Sequence, residues 1–80
     1  MTDEAAPLRW RCRRGMKELD LLLGRYLEHD WPAASSEDRG LFGRFLELPD
    51  PEIAAYLFGG VVPQDPGLAR IARRIAAARL

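Results

Sequence analysis

Met16-Lys17-Glu18-Leu19-Asp20-Leu21-Leu22-Leu23-Gly24-Arg25-Tyr26-Leu27 is the stretch on which the reading of the fold turns. Within it Met16, Leu19, Leu22, Leu23, Tyr26 and Leu27 recur at spacings of three and four, which winds them onto one face of an α-helix. If helical geometry ran on through Gly15, Arg14, Glu18, Leu21 and Arg25 would line the opposite side. Leu21 would then be an apolar side chain among charges on an outward face. The pattern predicts a helix ending near His29-Asp30, because a residue ahead of proline, as in Trp31-Pro32, is pushed out of α geometry.

Working outward, residues 1–4 read as a frayed polar start, and helix-favouring residues begin at about Ala5, with Pro7 tolerated in a first turn. Leu8 and Cys12 lie four apart and share a thin apolar stripe, while Trp10, Arg13 and Arg14 point elsewhere. Gly15 reads as the stop of this first helix, since glycine reaches left-handed backbone angles without a Cβ penalty. Downstream, Ser35 with Asp38 forms a cap pattern for a third helix, whose buried face is Leu41, Phe42, Phe45 and Leu46. Gly40 and Gly43 weaken that helix by roughly 1 kcal/mol each relative to alanine, so packing must hold it. Pro49 ends it. Asp50-Pro51 reads as an N-cap and first-turn proline for a fourth helix with Ile53, Ala54, Leu57 and Phe58 inside, closed by Gly59-Gly60. Val61-Val62-Pro63-Gln64 is a connector. Asp65-Pro66 starts a last helix with Leu68, Ile71, Ala72 and Ile75 buried and Arg70, Arg73, Arg74 and Arg79 off that face. Nothing alternates with period two, so the expectation is an all-α, compact five-helix bundle: one small domain over 1–80, with its core at about 5–78.

Size and charge narrow the function. An 80-residue chain buries only about 60–65% of its unfolded surface, which leaves a stability margin of a few kcal/mol. Twelve basic and twelve acidic side chains cancel. The balance is uneven, however: residues 9–17 carry five cations and no acid, residues 18–65 carry ten acids against three cations, and residues 66–80 carry four arginines. Such a chain can pair its ends with its middle or meet a partner of mixed charge. One cysteine, Cys12, excludes an intramolecular disulfide framework, and one Cys with one His forms no familiar zinc site. No apolar run approaches the roughly 20 residues of a membrane span, so a soluble, intracellular chain is expected.

Catalytic patterns are missing. His29 stands at a helix end beside acids, with no nucleophile or orienting group near it in sequence. Cys12 could be a nucleophile if its arginine neighbours lowered its pKa, but its place beside Leu8 reads as packing. No glycine-rich phosphate cradle is present. The basic run Arg9 to Lys17 with Trp10 could contact phosphates, which gives a competing expectation of a nucleic-acid-binding or antitoxin-type regulator using the basic ends. A helical domain of this kind most readily works by contacting another protein. Arg14 and Glu18 on either side of Gly15 offer a donor fork and an acceptor, with little side chain between them to hold a partner backbone away.

Arg14-Gly15-Met16-Lys17-Glu18 matches the RGxxE motif of the small succinate dehydrogenase assembly factors that promote flavinylation. Trp10, Cys12, Leu19-Asp20, Tyr26-Leu27-Glu28-His29, the junction Leu46-Glu47-Leu48-Pro49-Asp50-Pro51-Glu52 and Leu57-Phe58-Gly59 also resemble that family, over roughly residues 8–75. Two places depart from it: Tyr56, where tryptophan is common in relatives, and the less polar Val61-Val62 connector. The resemblance implies a bacterial, cytoplasmic accessory protein that is not itself an enzyme. It implies binding to the flavoprotein subunit of succinate dehydrogenase, and in some bacteria to that of fumarate reductase; a monomer acting in a one-to-one complex is the default expectation. It further implies that FAD becomes attached to a histidine of that subunit and that this chain holds no cofactor or metal of its own. By the motif, Arg14, Gly15 and Glu18 carry over as the primary partner face, with Trp10, Arg11, Met16, Lys17, Asp20 and Leu21 as secondary contacts.

Overall fold

The structure, a computed structural model, describes residues 5–77. The expected fraying of residues 1–4 and the position of Arg79 lie outside the described residues. Five α-helices follow one another: α1 Ala6–Arg11, α2 Lys17–Arg25, α3 Ser36–Leu46, α4 Asp50–Leu57 and α5 Pro66–Ala77. No strand occurs among the described residues. The all-α, five-helix architecture is the one that the periodicity predicts.

The core follows the apolar stripes closely. Leu19, Leu22, Leu23, Tyr26 and Leu27 are buried, as are Leu41, Phe42, Phe45 and Leu46 of α3 and Ile71, Ala72 and Ile75 of α5. Tyr26 stacks on Phe42 at 4.7 Å between ring centroids, inside the range of favourable tilted aromatic pairs. The last helix, α5, packs on α2, α3 and α4 and so closes the bundle. It is fixed at its start by Asp65, whose carboxylate accepts from the backbone N–H of Gly67 at 2.8 Å and Leu68 at 3.2 Å. Those two donors, Leu68 before Gly67 in weight, hold the Asp65 carboxyl below its usual range. Ser35 caps α3 as expected, with its hydroxyl accepting from the Asp38 N–H at 3.1 Å. The Asp38 carboxylate turns across the bundle to Arg70 at 2.8 Å and Arg74 at 3.8 Å, tying α3 to α5.

Five expectations are corrected by the structure. The first helix stops at Arg11, before Gly15, because the Arg13 N–H closes a tight turn on the Trp10 carbonyl and the chain then leaves helical geometry. Met16 therefore lies ahead of α2 in extended conformation and is 45% exposed rather than part of the buried stripe. The α-helical ladder of α2 ends at Arg25, but winding continues through a π-helical turn at Tyr26–Asp30 and a 3-10 turn at Trp31–Ala33. The extra residue in the π turn rotates the chain so that Tyr26, Leu27 and Trp31 can all be buried. At α4, Pro49 occupies the cap and Asp50 the first helical position, one residue earlier than predicted. Phe58 ends α4 in non-helical conformation, which swings its ring off the buried face and leaves it 40% exposed.

Candidate functional site

The turn between α1 and α2 is built by a small set of long-range ties. The backbone N–H of Arg14 donates to the Asp20 carboxylate at 2.7 Å, so the first turn of α2 anchors the loop that precedes it. The Arg14 guanidinium reaches back across the molecule, donating to the Leu46 carbonyl and to Asp50 at 3.3 Å. Only 17% of that side chain is exposed. Arg11 makes a similar tie, donating to the Gly43 carbonyl of α3 at 2.9 Å. Three of the nine sequence-derived candidates, Arg11, Arg14 and Asp20, thus hold the turn to the bundle.

The other candidates face outward. Gly15 has φ of +81° and is exposed, and a Cβ built on it would meet nothing within 4 Å. The backbone conformation favours glycine, while the space beside it is open. Met16, Lys17 and Glu18 are exposed in succession, and Leu21 is 56% exposed one turn further along α2. Among the described residues Glu18 holds no hydrogen bond or ion pair, whereas Asp20, Asp38, Asp50 and Asp65 each hold one. Trp10 projects from α1, 73% exposed, with the Arg13 guanidinium 5.2 Å from its ring centre.

Cys12 is buried at the rear of this turn. Burial raises its thiol from 9.0 to about 11, outweighing the lowering effect of Arg14 and Arg11. The thiol is therefore protonated at neutral pH and acts as a small apolar residue, as its spacing from Leu8 implies. No group of three or more His, Cys, Asp or Glu side chains able to hold a metal occurs among the described residues, and no helix there is long and apolar enough to cross a membrane.

Two parts of the site escape sequence reasoning. Asp50 reads as a helix cap in sequence, yet its carboxylate accepts from Arg14, 36 residues away. Phe58 reads as core, yet with Glu18, Leu21 and Leu22 it lines a notch of about 290 Å³. A long-range pair and a helix end that departs from ideal periodicity leave no local signature.

Comparison with known proteins adds an independent finding. A family model described as "Flavinator of succinate dehydrogenase" (Sdh5) matches residues 6–79. Proteins named FAD assembly factor SdhE are similar over most of their length. That of Xylella fastidiosa (strain 9a5c) is 48% identical over 68 residues, covering 85% of this chain and 70% of the relative. That of Shewanella oneidensis is 47% identical over 66 residues, covering 82% and 80%. That of Coxiella burnetii is 38% identical over 68 residues, covering 85% and 83%.

Proposed function

The chain belongs to the family described as flavinator of succinate dehydrogenase, and from that membership we propose that it docks on the flavoprotein subunit of that enzyme and promotes covalent attachment of FAD to it. In bacteria that pair it with such a subunit, fumarate reductase is a second client. The chain acts as a cytoplasmic monomer in a one-to-one complex and is an accessory factor, not an enzyme.

Family membership carries this reading, and the face assigned to it is the Glu18 carboxylate beside the bare backbone of Gly15. That face accepts close approach by a partner's backbone and offers one charge to it. Arg14 and Asp20 serve the face from behind by fixing the path of residues 13–16. Exposed Met16 and Leu21 add apolar contact, and Trp10, Arg11 and Lys17 border the same turn in sequence. The chemistry of attachment would be supplied by the partner's own histidine and flavin, and no residue of this chain takes part in the bond that forms. The present chain contributes by holding the partner's reacting groups in a productive geometry, an effect that can supply several kcal/mol of barrier reduction, up to about 7–11.

The regulator alternative has less support, because Arg11, Arg14, Arg70 and Arg74 each hold a partner within the chain, which shortens both basic patches. A gel shift that weakens steeply with salt would revive it. The direct test is in-gel fluorescence of covalent FAD in cells carrying Glu18→Ala or Gly15→Arg. Loss of flavinylation with folded variants is expected, and wild-type flavinylation in both would overturn the assignment of this face.

A further inference from the structure

Glu18 lies one turn before Leu21 and Leu22 on α2, and the ring of Phe58 at the end of α4 stands against them. The four side chains line a notch of about 290 Å³. A notch of this size, with exposed Leu21 and Phe58 as its walls, has room for a single bulky apolar side chain. Leu22 is its buried floor, while Leu21 and Phe58 are walls 56% and 40% exposed. Two large apolar side chains held open to water beside an unpaired carboxylate fit the anatomy of a docking point: an apolar anchor with a charge at its rim.

We propose that Glu18, Leu21 and Phe58 form one two-part receptor on this chain. Its occupant is a segment of the flavoprotein in which an arginine or lysine adjoins a bulky apolar side chain. The apolar side chain enters between Leu21 and Phe58, and the cation pairs with Glu18. The charge of the occupant follows from Glu18 itself: the intrachain arginine side chains pair with Glu37, Asp38, Asp50 and Asp65 or with carbonyls, Asp20 accepts from the Arg14 backbone N–H, and none of these ties reaches the Glu18 carboxylate at the rim of the notch. Lys17 does not neutralise it, because neighbouring residues diverge on a helix. Continuity decides the partner, since the notch begins at the last residue of the Gly15–Glu18 face. This inference rests on the function proposed above and extends that face from α2 to the end of α4.

The test is the affinity of the full chain for the purified flavoprotein subunit, measured across a salt series. Wild-type affinity should fall as salt rises. Glu18→Gln should weaken binding and flatten that slope, because it removes the charge that salt screens. Leu21→Ala and Phe58→Ala should each weaken binding about tenfold while leaving the slope unchanged, as expected for an apolar anchor. Leu21 is an exposed helix position where alanine is well tolerated, so its variant reports on binding even if Phe58→Ala loosens α4. Wild-type affinity in both apolar variants, or an unchanged slope in Glu18→Gln, overturns the receptor while leaving the proposed function standing. Failure of the wild-type chain to bind the flavoprotein overturns both.

Discussion

At Gly15 two requirements coincide that a variant pair can separate. Its φ of +81° disfavours any side chain, and the open space beside it suits a partner's approach. Gly15→Ala is expected to cost about 1–2 kcal/mol, since an L-residue in left-handed geometry places its Cβ against the carbonyl. Gly15→Asn should cost less than half of that, because asparagine tolerates this conformation. Thermal melting checks the stability order, and flavinylation checks the approach. Both variants should lose flavinylation if a partner comes close, whereas full activity in Gly15→Asn would reduce Gly15 to a backbone requirement. Cys12 makes the opposite kind of point. Its raised folded pKa means that its stabilising contribution is complete below pH 9, the unfolded value, and is lost as pH rises toward 11. Tyr26, also raised by burial, declines in the same alkaline direction, so alkylation isolates the thiol better. At pH 8 the native chain should be alkylated at least about tenfold more slowly than the urea-unfolded chain, a thiol both neutral and covered being a poor nucleophile. Equal rates would mean that Cys12 is open to solvent.

Between elements, the Arg14 ties determine whether the motif is held rigid. Its guanidinium joins the α1–α2 turn to the carbonyl of Leu46 and the carboxylate of Asp50, where α3 passes into α4. Arg14→Ala should lower unfolding free energy in urea by about 1–3 kcal/mol, the range for charge-assisted hydrogen bonds in part-buried sites. It should also raise amide exchange at residues 13–16 and 46–50. Arg14→Lys should rescue only part of this, having no planar fork to reach two acceptors. Unchanged stability in Arg14→Ala would mean that the guanidinium serves the partner instead. These elements also mark how far the sequence could be read. The stripe from Leu19 to Leu27, the Ser35 cap and the Asp65-Pro66 start depend on neighbours within a few residues, and they appear as expected. The π turn after Arg25 and the inward turn of Arg14 depend on contacts made only once the bundle closes. The motif itself was legible as letters. The outward placement of Glu18 and Leu21 was legible in the helical spacing, but the inward turn of Arg14 was not, because its bracing partners lie 32 and 36 residues away.

Across the whole molecule, the uneven charge resolves into internal pairing. Basic ends meet the acidic middle through Arg14 with Asp50 and through Arg70 with Asp38 and Glu37. What is left facing solvent around Gly15 is the Glu18 carboxylate, the cations Arg13 and Lys17, a bare turn and a few apolar side chains. A surface of this kind fits the proposed role of shaping another protein's site, and the family description names succinate dehydrogenase. The account therefore depends most on one reconstitution. Purified flavoprotein subunit lacking flavin is mixed with FAD, with and without this chain, and covalent FAD is followed over time by in-gel fluorescence. The wild-type chain should accelerate attachment in a saturable way and Glu18→Ala should not, while both melt at the same temperature. Equal attachment rates with and without the chain would contradict the account.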